Sequence, residues 1–477
     1  MKRALVGSLF LVGLLLGLAA CTPKPTSDVA ALTYSPLVFQ IPKVEKLILP
    51  GGIRLYLKED HELPLVDITA LVGAGDIGDP ATRTGQGELF AALLRTGGAG
   101  ERGPEAFDAT LETLAANLSV ATDSYATTCE LSLRAADLEP GLGLLADLLR
   151  RPRFDSGRLE LARRQAIEGV RRQDDNPQAI AQRTLKQALY GDHPLGRTPT
   201  VATLEAVRRE DLVAFHDRYF TPDNLWLAIT GDFRREELLG ALEQVFGGWE
   251  AGPAPRQEIP PLPAPAPPAL WLATKAVPQT TLLAGEVGIT KDAPDLQAVR
   301  VMNWILGGGG FNSRLMREVR SNRGLAYSVY SYFQVGRKLP GPFIAGTETK
   351  SGTTLEVIRL LREQMAKMRQ APVSDTELAL AKESLINSFV FAFTDSHAVV
   401  SQQLRLDFYG YPADYLQRYR ERVAAVTAAD VLQAARGHLH PERQALVVVG
   451  NPTAFDGDPA SLGLPVKTVA PAGSDPR

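Results

Sequence analysis

The chain is short of cysteine, histidine and net charge, and each shortage removes a class of chemistry. Of its 477 residues only two are cysteine and six are histidine. Cys129 lies in an alternating, strand-like run and Cys21 ends the leading apolar segment, so neither a disulfide framework nor a thiolate metal site can be assembled. The histidines are His61, His193, His216, His397, His438 and His440, and no two stand at the i, i+4 spacing that places imidazoles on one helical face. Acidic and basic residues nearly cancel, to a formal net charge of −3, and no basic stripe alternates with aromatics. That balance excludes nucleic-acid binding. A Gly-x-Ser-x-Gly elbow and an activated cysteine are also missing, which removes the common nucleophilic hydrolases.

What is present is a globular composition, 45% hydrophobic and 22% charged, in a chain long enough for two or more cores. Residues 1–20, MKRALVGSLFLVGLLLGLAA, join a basic start to an apolar run and small residues, as a secretory signal peptide ending in a lipobox does. The run is short for a spanning helix. Cys21 is therefore expected to be the acylated first residue of the mature chain, and residues 21–43 a lipidated tether. Thr22 after the cysteine, rather than aspartate, points to the outer membrane. The expected location is the periplasmic face of that membrane.

Internal repetition divides the remainder. Val207–Phe233 and Val426–Pro452 match without a gap, pairing Asp211 with Asp430, Pro222 with Pro441, Leu227 with Leu446 and Gly231 with Gly450. Each copy reads as an amphipathic helix, a proline turn and a strand ending in glycine. The same offset of 219 relates Leu159, Leu161 and Ala162 to Leu378, Leu380 and Ala381. We therefore expect two homologous α+β domains, at 44–250 and 270–455, joined by a proline-rich linker at 251–269 and followed by a tail at 456–477. Strands and helices come in runs rather than alternating singly, which predicts antiparallel sheets with helices packed on them. In the first domain the pattern predicts a hairpin (Ile53–Lys58 with Val66–Val72), strands near Leu118–Ala121 and Thr127–Arg134, and helices near 104–116, 137–150, 156–173 and 176–190.

Two stretches hold candidate chemistry. GQGELFAALLRTGG, residues 85–98, predicts a short helix between glycines whose stripe at i, i+3, i+4 and i+7 holds Glu88, Ala91, Ala92 and Arg95. Taken alone, such a small-residue face suits close helix packing. Residues 305–333, ILGGGGFNSRLMREVRSNRGLAYSVYSYF, place four glycines after a helix, and with no Gly-Lys-Ser/Thr following they do not form a phosphate cradle.

Taken whole, that second stretch resembles the C-terminal domain of the insulinase/pitrilysin family of zinc peptidases, in which a glycine turn, SRL, REVR and RGLAYSV recur in this order. YGDHPLGR at 190–197 and YFTPDNLWLAITGD extend the resemblance over roughly residues 44–455. It implies two homologous domains forming one half-shell of a clamshell that closes on a peptide. It also gives the blank stripe a meaning. The family's catalytic helix carries His-x-x-Glu-His, and the two imidazoles with a later glutamate hold zinc. Aligned on the flanking glycines, those places are Glu88, Ala91 and Ala92, with Glu168 at the later glutamate. The resemblance thus implies a degenerate metal site that holds no zinc. An Arg and a Tyr that touch substrate in the family fall here on Arg323 and Tyr327, and the glycine turn that adjoins them on Gly308 and Gly309. The implied role is the non-catalytic, substrate-binding subunit of a heterodimer, supplying Arg323 and Tyr327 in trans to a homologous His-x-x-Glu-His partner that carries the zinc. A catalytically dead structural or peptide-binding lipoprotein of the same fold is the alternative. An active peptidase with unusual ligands would rest on Glu88 and Glu168 alone.

Overall fold

The computed structural model describes residues 41–250, 252, 256–393 and 395–469. The signal peptide, Cys21 and most of the tether lie outside these residues. The described chain builds two six-stranded mixed sheets of matching topology. In the first, β1 (Glu45–Ile48), β2 (Arg54–Glu59), β3 (Leu65–Val72), β4 (Asn117–Thr122), β5 (Thr127–Arg134) and β6 (Leu225–Gly231) stand in the order β1-β2-β6-β3-β5-β4. In the second, β7 (Leu270–Thr274), β8 (Gln279–Val287), β9 (Ala326–Phe333), β10 (Pro342–Lys350), β11 (Ala445–Gly450) and β12 (Val466–Thr468) stand in the order β12-β7-β11-β8-β10-β9.

The expected hairpin does not form. The chain runs up β2 and down β3, but β6 returns from far along the sequence and inserts between them, antiparallel to β3 and therefore parallel to β2. The second sheet repeats this with β11 between β7 and β8, so neither sheet is purely antiparallel. β12, from the stretch read as a tail, adds a further parallel strand beside β7, and the Asp456 carboxylate accepts the N–H groups of Leu355 and Glu356 at the start of the Thr354–Gln370 helix.

The residues shared by the two repeat copies have local work to do. Asp211 and Asp430 each sit three residues into a helix and accept the backbone N–H of the residue before it, Arg208 at 2.8 Å and Thr427 at 2.9 Å. Orphan donors at a helix start are satisfied this way. Gly231 and Gly450 end the inserted strands where the neighbouring strand passes close; a Cβ on Gly450 would lie 2.6 Å from Thr280 Oγ1.

Each sheet buries one face against its own helices and the other against a helix from the opposite half. In β11, Leu446 and Val448 face the large core of the second half, while Ala445, Val447 and Val449 pack on Ile180, Ala181, Leu185 and Ala188 of the Pro177–Tyr190 helix. Reciprocally, Val400 and Leu404 of the Ser396–Phe408 helix pack on Tyr56, Leu71 and Ala228 of the first sheet. Side chains alternate across a strand, so a strand covered on both faces reads as an unbroken apolar run, as ALVVVG does. His397 pins the second exchange, with Nε2 2.8 Å from Thr69 Oγ1 and Nδ1 2.9 Å from Thr230 Oγ1. Burial holds its pKa below the ordinary imidazole value.

Among the described residues no helix is long and apolar enough to cross a membrane.

Candidate functional site

The helix with the blank stripe runs from Gln86 to Thr96. Its first turn is held by Asp79, a buried carboxylate that accepts the N–H of Gly85 at 3.0 Å and of Gly87 at 3.1 Å. These bonds favour the charged form. Burial outweighs them, aided by the neighbouring Asp76, and pushes the Asp79 pKa up to about 7. Leu89, Phe90, Leu93 and Leu94 point into the core, and Phe90 packs against the rings of Phe154, Phe215 and Phe220. The helix lies along β4 and the Ser156–Arg172 helix. Ala91 is buried and Ala92 rests on the core. Arg95 donates to the Leu118 carbonyl at 2.8 Å and to Asp108 at 2.7 Å. Glu88 projects outward; partial desolvation and then the Asp76 charge raise its pKa.

Fold and helix register thus bring together the two helices that a zinc site would need, but the donors do not fit one. Ala91 and Ala92 have no ligand atom. Glu168 is on the facing helix with its carboxylate turned to Arg171, 2.6 Å away. Among the described residues no group of three or more His, Cys, Asp or Glu is disposed to hold a metal ion. Two carboxylates on separate helices do not make the closed set of nitrogen and oxygen ligands that zinc takes.

The second candidate region starts at a wide π-helical turn, Trp304–Gly308, which passes through Gly310–Asn312 into a second such turn, Met316–Asn322, and then β9. The glycines let this irregular segment pack tightly. A Cβ on Gly308 would lie 2.8 Å from Asn303 Nδ2, and one on Gly309 2.8 Å from the Trp304 ring. Asn303 in turn donates to the Ser331 carbonyl at 3.1 Å and accepts from Ser331 Oγ at 2.9 Å, tying the turn to β9.

β9 is an edge strand, and Tyr327 near its start is 82% exposed. The Arg320 guanidinium lies 4.5 Å from the centre of the Tyr327 ring and 4.6 Å from that of Phe311, itself 66% exposed. A cation held between two aromatic faces fixes both rings while leaving their edges open to solvent. Arg323 does not share this stack. It donates to Glu318 at 2.9 Å and to Glu356 at 3.1 Å. Asn322 and then Arg323 hold Glu318 below the usual carboxylate range.

The structure therefore places Tyr327 with Arg320 and Phe311, which the sequence reading did not single out, and sets Arg323 one turn aside in an ion-pair network. The available signal was the phenylalanine directly after four glycines, a position where a large apolar side chain has no helix face to bury into.

Two models of one family match consecutive parts of the chain: insulinase (peptidase family M16) over residues 54–202 and peptidase M16 inactive domain over residues 206–385. An uncharacterized zinc protease of Mycobacterium leprae is 28% identical over 361 residues, 74% of this chain and 80% of its own. A non-peptidase homolog of Helicobacter pylori is 25% identical over 399 residues, 83% of this chain and 91% of its own. Among solved structures, a peptidase M16 inactive domain from Pseudomonas fluorescens shares the fold with a TM-score of 0.78 at 28% identity, covering 86% of this chain and 98% of that one. The two matched stretches take in both the helix with Glu88, Ala91 and Ala92 at the places of His-x-x-Glu-His and the Tyr327 turn, and the chain belongs to the insulinase family of peptidases, family M16, as a member without that family's metal-binding motif.

Proposed function

We propose that this chain is the non-catalytic, substrate-binding subunit of a heterodimeric insulinase-like metallopeptidase, and that it is held at the cell envelope through acylated Cys21. One observation carries the reading: Tyr327 is presented on an open strand edge, backed by Arg320, in a chain that has neither imidazole of the metal motif and has alanine, Ala91, where its water-activating glutamate would stand. A phenol hydroxyl and a guanidinium on a facing surface suit a peptide carbonyl that gains negative charge as it is attacked. Zinc and the residues that activate water are expected in a homologous His-x-x-Glu-His partner. In this chain Tyr327 donates, Arg320 fixes its ring, and Arg323 adds positive charge from the adjoining network.

A second reading, a peptide-binding lipoprotein without catalysis, is favoured by the engagement of Arg323 with Glu318 and Glu356, which leaves fewer guanidinium donors for a substrate. The name non-peptidase homolog given to the Helicobacter pylori relative is in keeping with it. Affinity purification of the lipoprotein from its native cells separates the two. The heterodimer reading expects a similar-sized chain with His-x-x-Glu-His and peptidase activity in the eluate, and recovery of this chain alone would leave the second reading standing.

A further inference from the structure

A cavity of about 570 Å³ opens between the two halves of the chain, walled by the β4–β5 turn, the Pro177–Tyr190 helix and the β9–β10 hairpin. Its lining includes the buried Leu185 and Leu283 and four tyrosines, Tyr125, Tyr190, Tyr330 and Tyr332. Tyr330 and Tyr332 are stacked, 6.0 Å between centroids and 20° between planes. Both size and lining are those of a pocket for an organic ligand rather than an ion.

The cavity is not isolated. Tyr330 is also a wall of the depression that holds Arg320 and Tyr327, and Gln178 lies at the junction, its Nε2 3.4 Å from Tyr330 Oη. Gln178, Gln182 and Lys186 follow one another at i, i+4 and i+8 on the helix that borders the whole groove. Eight residues of helix rise about 12 Å. That is the length of three or four residues of extended chain at about 3.3 Å each. A row of two amide side chains beside a tyrosine platform offers donors and acceptors at the spacing of a peptide backbone. Charge selects further. Asp123 is paired with Arg337 at 3.2 Å, which leaves Lys186 on the rim with no direct ion pair among the described residues and with Asp76 acting on it only at longer range.

We propose that this groove binds an extended peptide segment, seating one aromatic side chain among the four tyrosines and an adjacent acidic side chain at Lys186. The site deepens the peptide-binding reading above and rests on it, while needing neither the partner nor hydrolysis. The aromatic ring supplies most of the affinity through apolar burial, and Lys186 sets the order of the two residues.

The test uses the full mature chain and three fluorescein-labelled hexapeptides with Phe-Glu, Ala-Glu or Phe-Lys at the centre, with anisotropy as the readout. The Phe-Glu peptide is expected to bind about tenfold or more tightly than either of the others. Gln182→Trp, at an exposed position on the mouth, should erase the preference for Phe, and Lys186→Glu should reverse the preference for Glu over Lys. Equal binding of the three peptides, or preferences that survive both Gln182→Trp and Lys186→Glu, would overturn the proposal. So would self-association lost in Gln182→Trp without any peptide binding, since the occupant would then be a second copy of the chain. If peptide preference is found but Tyr327→Phe leaves hydrolysis by the assembled complex unchanged, the catalytic reading fails and the groove stands; the converse result fails the groove alone.

Discussion

Asn176 and Asp395 cap two helices that have traded places. Asn176 Oδ1 accepts the N–H of Gln178 at 2.8 Å and Asp395 Oδ1 that of Ala398 at 2.7 Å, at the repeat offset of 219 residues, and each capped helix covers the sheet of the other half. Because neither sheet is covered without its neighbour's helix, the halves should unfold together. Leu404→Ala, at a fully buried position on the first sheet, is expected to cost about 2–5 kcal/mol. Denaturant unfolding followed by far-UV circular dichroism should show one transition at lower denaturant. Two separate transitions in the wild-type chain would contradict the shared-core account.

Much of this was legible before the structure, for reasons specific to each element. β5 alternates apolar and polar residues so regularly that the reading reproduces its bounds, Thr127–Arg134. The helices read near 156–173 and 176–190 form over Ser156–Arg172 and Pro177–Tyr190, and the structure adds their caps, Asp155 and Asn176. The β2–β3 hairpin was misread because β6, the strand that separates them, comes from more than 150 residues away, and local pattern carries no record of such an insertion. β12 escaped notice as three exposed residues, VKT. Ala91 and Ala92 could be read because an absence of donors is visible in sequence. Arg320 could not, since its place on Tyr327 depends on the two wide turns that carry the chain into β9.

Zinc content follows from the donor set. The purified chain, prepared without chelator, should contain no stoichiometric zinc by elemental analysis, because two alanines and an ion-paired Glu168 offer no closed site. A zinc content near one per chain, lost on Glu168→Ala, would show that the ligand positions had been misassigned.

Asp79 should make stability depend on pH near neutrality. Its pKa in the fold is about 7, above its unfolded value, so its stabilising contribution is fully present below the unfolded pKa and is lost as pH rises through about 7. Between pH 6 and pH 8 the loss from this group is about 1 kcal/mol. Asp79→Asn keeps an acceptor for the helix N–H groups and cannot ionise. Relative to wild type it should gain stability from pH 6 to pH 8, measured as the difference in Tm at the two values. A difference that stays constant would remove Asp79 as the source.

Anchoring through Cys21 is tested by fractionation. Cys21→Ser should move the protein from membranes to the soluble periplasm or leave its signal peptide attached. Normal cleavage with unchanged membrane association would count against acylation at this residue.

The sharpest consequence concerns Tyr327 and the two arginines near it. On the heterodimer proposal neither Arg320 nor Arg323 completes a hydrolytic site in this chain, and their effect on turnover would be read in a complex with the proposed zinc-bearing partner. Tyr327→Phe deletes one hydroxyl and keeps the ring against Arg320. Removal of a single donor to a developing oxyanion costs on the order of 10²–10³ in kcat. We expect Tyr327→Phe complexes to assemble normally, retain the partner's zinc and cleave peptides slower by about that factor. Arg320→Ala removes the cation between Tyr327 and Phe311 and should lower kcat as well, through the freed ring. Arg323→Ala separates the roles of the guanidiniums: it should slow cleavage if Arg323 leaves Glu318 and Glu356 to meet the substrate, and otherwise only loosen that network. Wild-type turnover in both Tyr327→Phe and Arg320→Ala, or full activity of the partner with this chain absent, would leave the division of labour without support.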